Sequence, residues 1–228
     1  MSFELKSVVP WGRTLMEYKQ MFSLTPADIN KRIISFGDGP ASFNKELTEQ
    51  NGNCTSIDPI YQFSKEQLET RFEEVRKEIL EQVKINSKIF IWKNIKNIDE
   101  LDLLRTQAMH QFLEDFDSGL LEGRYVTHQL PEKTHFKNKE FELGLSSHFL
   151  ILYEKLGLEF HLKSLTEMMR ICKEVRIFPL LNLNAEKSKV LEPIIKHFSD
   201  MNEVKIEQVN YEFQKNGNQM LVLRKYQI

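Results

Sequence analysis

The chain has 228 residues, 41% of them hydrophobic and 28% charged, with a formal net charge of -2. That size and balance suit one globular domain with room for a small insertion. They exclude the strong basic run of a nucleic-acid footprint, and no apolar stretch approaches the ~18 residues of a membrane span. Two cysteines, Cys54 and Cys172, lack metal-ligand spacing and sit among apolar residues, as buried free thiols do. The opening segment MSFELKSVVPWGR carries Glu4 and has no signal-peptide core, which predicts a cytoplasmic protein. There is no internal repeat, and nothing in the pattern sets an oligomeric state.

Taken in order, Leu15, Met16, Tyr18, Met21 and Phe22 recur at helical spacing. Thr25-Pro26 then opens a further turn, with proline at a first helical position where its missing N–H costs nothing. The stretch from Arg32 to Pro59 reads RIISFGDGPASFNKELTEQNGNCTSIDP. It predicts a strand ending at Phe36, a Gly37-Asp38-Gly39 turn, a helix from Ala41 to about Gln50, and a strand from Cys54 to Ile57 that ends on Asp58. Strand, glycine turn, helix, strand and acid form half of a nucleotide-binding α/β unit. Glycines accept unusual φ values and leave no Cβ between backbone and ligand. The helix start offers free N–H groups to an anion. An acid about 20 residues past the turn can accept hydrogen bonds from a ribose diol.

Ser64 to Lys84 reads as a helix, capped by Ser64 with Gln67 three residues on. Leu68, Phe72, Val75, Ile79 and Val83 form its apolar stripe. Lys88 to Ile95 fits either a short strand or an apolar plug. Asn97 caps a second helix, with Glu100 at the third position and Gly119 at its end. Two helices here exceed the single crossover that joins parallel strands, so residues 62–123 are read as a helical insertion in one domain spanning 1–228. It either caps an acceptor pocket or packs on one sheet face. Arg124 to Gln129 predicts the third strand and the segment around Phe141 to His148 the fourth. A helix from Leu158 to Cys172 and a fifth strand from Glu174 to Leu181 follow. Pro179, lacking a ladder donor, belongs at that strand's end. Ala185 to His197 reads as helical, with a start or kink at Pro193. Val204–Phe213 and Gln219–Tyr226 read as strands joined through Asn216-Gly217 in a type I′ hairpin.

The pattern Gly37-x-Gly39-x-Ala41 resembles the G-x-G-x-G/A turn of class I S-adenosylmethionine-dependent methyltransferases. The dinucleotide fingerprint fits less well, since Ser42 stands where its third glycine belongs. The Phe141-Glu142 pair before a Ser146-Ser147-His148 turn and the closing hairpin are similar to that family too. The resemblance implies an α/β fold: a Rossmann-like doubly wound sheet, mostly parallel, with a C-terminal antiparallel hairpin and a helical insertion between strands 2 and 3. It implies S-adenosylmethionine as cofactor. Gly37, Asp38 and Gly39 would hold the methionine end, Arg13 and Tyr18 its carboxylate, and Asp58 the ribose. Pro59, Ile60 and the backbone near Leu130 would border the adenine. Ser146 would lie near the transferred methyl, and His148 would serve as general base. Without the resemblance, Tyr18 reads as a packing residue, Arg13 as a surface charge and His148 as a backbone partner. Ser35 replaces the family's acid two residues before the first glycine, an acid for which Asp38 would partly substitute; no acid lies near Leu130. The implied function is methyl transfer to a small-molecule or protein acceptor. The alternatives are a non-catalytic binder of S-adenosylmethionine or S-adenosylhomocysteine, and an NAD(P)-dependent oxidoreductase.

Overall fold

The computed structural model describes residues 11–226, so residues 1–10 of the opening segment, on which the leader reading falls, lie outside the described residues. Two short helices lead in, α1 (Leu15–Met21) and α2 (Pro26–Ile29), each closed by a capping box. In these boxes Thr14 pairs with Glu17 and Thr25 with Asp28, so each first turn has its free N–H groups met from within. Then come β1 (Arg32–Phe36), α3 (Phe43–Glu49), β2 (Asn53–Ile57), α4 (Lys65–Ile85), α5 (Ile98–Leu121) and β3 (Tyr125–Val126). The second half holds β4 (Phe141–Ser147), α6 (Leu158–Ile171), β5 (Cys172–Phe178), α7 (Leu191–Phe198), β6 (Asn202–Gln208) and β7 (Gln219–Lys225).

The seven strands lie in the order β3-β2-β1-β4-β5-β7-β6. The first five are parallel, and β7 enters antiparallel between β5 and β6. Strand order reverses between β1 and β4, where the carboxyl ends part and leave a crevice. One core layer sets α1, α3 and part of α4 against the sheet through residues such as Leu15, Phe43, Ile79 and Leu143. The opposite layer packs α6 and α7 through Leu165, Met168, Ile194 and Val175. A third cluster ties the far ends of α4 and α5 to Tyr61 and Tyr125.

Ser64 and Gln67 form the predicted capping box of α4, and Asn97 caps α5. Four expectations are corrected. Helix α5 does not stop at Gly119 but runs to Leu121. Gly119 is instead a contact glycine, since a Cβ there would lie 2.3 Å from the Tyr125 ring; Gly123, at φ +72°, turns the chain. The third strand has two residues rather than six, because its partner β2 is met only at Ser56 and Ile57. Of the two readings left open for Lys88 to Ile95 the plug holds, which is no correction: Phe90 makes one isolated bridge to Gln214 and stacks on Phe213 at 4.7 Å. Residues 185–190 are not helical; Ala185 sits at φ +59° and Pro193 falls in the first turn of α7.

The fourth correction concerns the last hairpin. Strands β6 and β7 pair from Gln208↔Gln219 outward, so ten residues, 209–218, separate them. Asn216 has φ +64°, but Gly217 lacks the positive φ that a type I′ turn requires. Residues 209–213 leave the sheet because Val209, Tyr211 and Phe213 are buried in the α1 layer.

Candidate functional site

A cavity of about 470 Å³ opens at the carboxyl ends of the parallel strands. The glycine turn forms its floor. Gly37 leaves β1 at φ +61° and donates its N–H to Ile57 O at 2.9 Å; Gly39 follows at φ +57°. A Cβ on Gly37 would strike the Phe149 ring at 2.4 Å, whereas one on Gly39 meets nothing within 4 Å. The first glycine is therefore needed for packing, and the second leaves open space beside the backbone.

Asp58, beyond β2, accepts from Gly39 N–H and Ile60 N–H, both at 2.9 Å. Tyr61 donates its hydroxyl to Gly39 O at 2.8 Å. The acid thus grips the turn, with lone pairs left over for further donors. Burial raises its carboxyl from 3.8 to about 6, against the lowering effect of the two backbone donors. Pro59, Ile60 and Leu130 line the cavity nearby, together with His128 and Gln129, which sequence reasoning missed.

Asp38 lines the cavity at the turn. Its carboxylate turns inward and accepts from Ser35 Oγ at 2.6 Å, Ser56 Oγ at 2.5 Å and the Tyr18 hydroxyl. Burial raises its pKa against these hydrogen bonds. Ser35 thus occupies the position of the family's acid and braces Asp38. Tyr18 is fully buried, stacked on Phe43 with centroids 4.0 Å apart, and lines the cavity wall.

A buried charge cluster stands beside the turn. Glu17 receives both terminal nitrogens of Arg105, Nη1 at 2.8 Å, and the Tyr211 hydroxyl at 3.0 Å. Arg105 also donates to Gly12 O at 2.9 Å. Burial alone would raise the Glu17 carboxyl, but the Arg105 charge and hydrogen bonds outweigh it and bring it to about 2. Arg13 is not a surface charge. It lines the cavity, donates to Trp11 O, and lies only at the 4.0 Å edge of ion pairing with Glu17. Its Nε and the Trp11 Nε1 are buried without a partner. Burial, then the Arg105 charge, lowers Arg13 to about 10. One glutamate facing two arginines leaves an uncompensated positive charge on this wall, an arrangement that costs free energy until an anion arrives.

His148, at φ +52°, follows β4 and is pinned by its N–H to Phe178 O at 2.7 Å. Its Nδ1 lies 2.9 Å from Ser147 Oγ, which in turn donates to Met21 Sδ at 3.7 Å. One hydroxyl hydrogen cannot serve both neighbours. With it on sulfur, Nδ1–H donates to Oγ, and Nε2 keeps its lone pair. Burial first, then Arg13 and Arg105, hold the imidazole well below its usual pKa, so it is neutral. Ser146 does not line the cavity. Side chains alternate along a strand, so Ser147 shares a face with Leu145 while Ser146 points to the opposite layer, its Oγ buried and unpartnered.

The remaining wall is apolar: Ile79 and Val83 of α4, Leu101 of α5, Phe90, Phe213 and Leu183. The helical insertion therefore does border the cavity. Gln214 joins this wall. Its Nε2 donates to Asn182 O at 3.3 Å, which fixes the amide's orientation and leaves Oε1 buried without a donor. Among the described residues no cluster of three or more metal-type ligands occurs, and no helix is long and apolar enough to cross a membrane.

The strand order, with its reversal at β1/β4 and its inserted antiparallel β7, is the fold of class I methyltransferases. The chain belongs to one family with the uncharacterized protein MJ0045 of Methanocaldococcus jannaschii, to which it is 35% identical over 226 residues, 97% of this chain and 98% of that one. No family model matches. Among solved structures, the chain is similar to a TehB-like SAM-dependent methyltransferase from Corynebacterium glutamicum, at 13% identity and a TM-score of 0.46 over 86% of this chain and 81% of that one. It is also similar to the magnesium protoporphyrin IX methyltransferase of Synechocystis with bound SAH, at 9% identity and a TM-score of 0.45 over 87% and 77%. The fold assignment rests on the strand order and not on these scores.

Proposed function

We propose that the protein is an S-adenosylmethionine-dependent methyltransferase acting on a small-molecule acceptor. The observation that carries this reading is the convergence, at one crevice, of an open-sided glycine turn gripped by Asp58 and a half-buried arginine whose Nε has no hydrogen-bond partner. The residues fit the cofactor. Asp58 accepts the ribose hydroxyls, and Gly39 leaves room for close approach of the backbone. Pro59, Ile60 and Leu130 give the base an apolar slot, while Arg13 and Trp11 Nε1 take the carboxylate. When bound, S-adenosylmethionine supplies an electrophilic methyl carbon on a sulfonium.

The chain's own contribution is positioning and exclusion of water. Neutral His148 offers Nε2 to the X–H of the acceptor and orients its lone pair. An imidazole with so low a pKa is a weak store for a proton, so it guides the acceptor more than it ionises it. The apolar wall of α4, α5 and Phe213 keeps water from the reacting centre.

A second reading, binding without turnover, is favoured by one observation: Asp38 spends its oxygens on Tyr18, Ser35 and Ser56. Isothermal titration with S-adenosylmethionine, S-adenosylhomocysteine and NAD tests the site. Binding of the first two alone is expected. Binding of NAD alone refutes the proposal. Release of S-adenosylhomocysteine in an acceptor screen separates turnover from binding.

A further inference from the structure

The two edges of the sheet are unequal. Strand β3 closes one with two residues. Strand β6 closes the other with seven, NEVKIEQ, and among the described residues nothing pairs with its outer side. Such a row of free backbone groups is a template for another strand. Lys205, Ile206, Glu207 and Gln208 are all exposed, and Ile206 keeps 43% of its surface in solvent.

The ladder with β7 fixes which groups face outward. Val209 N–H donates to Asn218 O at 2.9 Å, and the register runs unbroken from Gln208↔Gln219 to Asn202↔Lys225. Hydrogen-bonded and non-hydrogen-bonded pairs alternate in an antiparallel ladder. Glu203, Lys205 and Glu207 therefore spend their N–H and C=O groups on β7, while Val204, Ile206 and Gln208 present theirs to solvent. A second β6 can meet this edge antiparallel, about a two-fold axis, only where outward residues face outward residues.

Charge then selects the register. An axis at Lys205 sets that lysine against itself and Glu203 against Glu207. An axis at Glu203 or Glu207 sets that acid against itself. Like charges directly opposite are destabilising, and alternating charge of this kind usually guards an edge. An axis at Val204 faces Ile206 with Asn202 and Glu207 with Met201. An axis at Ile206 sets Ile206 on Ile206, Val204 opposite Gln208 and Lys205 opposite Glu207. The Lys205–Glu207 pairs then fall at non-hydrogen-bonded positions of the new ladder, where side chains approach most closely. Glu207 has no salt bridge among the described residues, whereas Glu203 already faces Lys205 and, at 3.5 Å, Arg224.

We infer that the chain forms a homodimer by antiparallel pairing of β6 with the β6 of a second copy, about a two-fold axis at Ile206, which joins the two sheets into one. The contact is small, so the dimer is weak and forms with rising concentration.

Sedimentation velocity on the full chain, across the micromolar to millimolar range, tests this. Monomer should pass into dimer, and at lower concentration in low salt, because exposed charge pairs are screened. Lys205→Glu and Glu207→Lys should each weaken the dimer about ten-fold or more. The two changes together should recover it, since the pair is then reversed. Ile206→Pro should abolish it: the lost N–H faces outward, where an edge strand tolerates proline. If proline unfolds the strand, as circular dichroism would show, the charge series decides alone. A monomer at every concentration, a dimer indifferent to both single charge changes or to a folded Ile206→Pro variant, or a double variant no better than the singles overturns the inference.

Discussion

Asp58→Asn separates what the acid costs the fold from what it does for a ligand. Burial raises its carboxyl from 3.8 to about 6. At 1.36 kcal/mol per tenfold change in proton affinity, that is about 3 kcal/mol. The sign follows from proton counting. Between the two values the folded chain keeps the proton and the unfolded chain loses it, so stability falls as pH rises and levels off above about 6. Asparagine does not titrate. It also leaves one of the two backbone donors, Gly39 N–H or Ile60 N–H, poorly met, but that loss is the same at every pH. The stability difference between variant and wild type should therefore move in the variant's favour by most of about 3 kcal/mol between pH 4 and pH 8. Urea unfolding at intervals of one pH step measures it. A difference that stays flat, or moves the other way, refutes the buried-carboxylate account. The same variant should bind S-adenosylmethionine about ten- to hundred-fold more weakly at pH 8, from loss of charge-assisted hydrogen bonds. In the wild type that affinity should fall as pH drops below 6, because the ionised acid is the binding form.

Two further predictions concern packing. Gly37→Ala should destabilise the fold severely, because its Cβ meets Phe149 at 2.4 Å as well as a φ of +61°. Gly39→Ala carries only the backbone strain of about 1–2 kcal/mol, but should lose cofactor binding; thermal melts and calorimetry compare them, and equal melting losses would contradict the contact geometry. Glu17→Gln leaves Arg105 buried beside Arg13 without its counter-charge, and should cost about 3–5 kcal/mol in urea unfolding. A loss under about 1 kcal/mol would show that the cluster is not buried in solution.

Much of the glycine-turn side of the crevice was legible because its signals are local. Ser64 and Gln67 announce a helix start within four residues, and Gly37, Gly39 and Asp58 lie on consecutive strand ends. The mostly parallel sheet with its antiparallel last strands is what the family resemblance implied, and the strand order bears it out. The rest is set by contacts far apart in sequence. Glu17 and Arg105 are 88 residues apart, and no periodicity marks either as a partner. Ser146 and Ser147 differ only by which face the strand presents, so a register one residue off moved the site to the wrong serine. Asn216-Gly217 carries a strong local preference for a tight hairpin, yet burial of Val209, Tyr211 and Phe213 overrides it. Gln214 was missed for the same reason, since its place in the wall depends on where that segment goes.

The course of residues 209–218 has a consequence for how such a protein can diversify. The proposed ribose, base and methionine contacts all come from the first 130 residues, from the segment before α1 and from the turns that follow β1, β2 and β3. The facing wall comes from a ten-residue excursion at the sheet's antiparallel end and from two helices inserted before β3. Length and sequence can change in either without disturbing a hydrogen bond of β1 or β2. Relatives that share the glycine turn but differ between β6 and β7 would then keep one donor molecule while exchanging its recipients, a separation of inheritance that the sheet's topology makes available to the whole family.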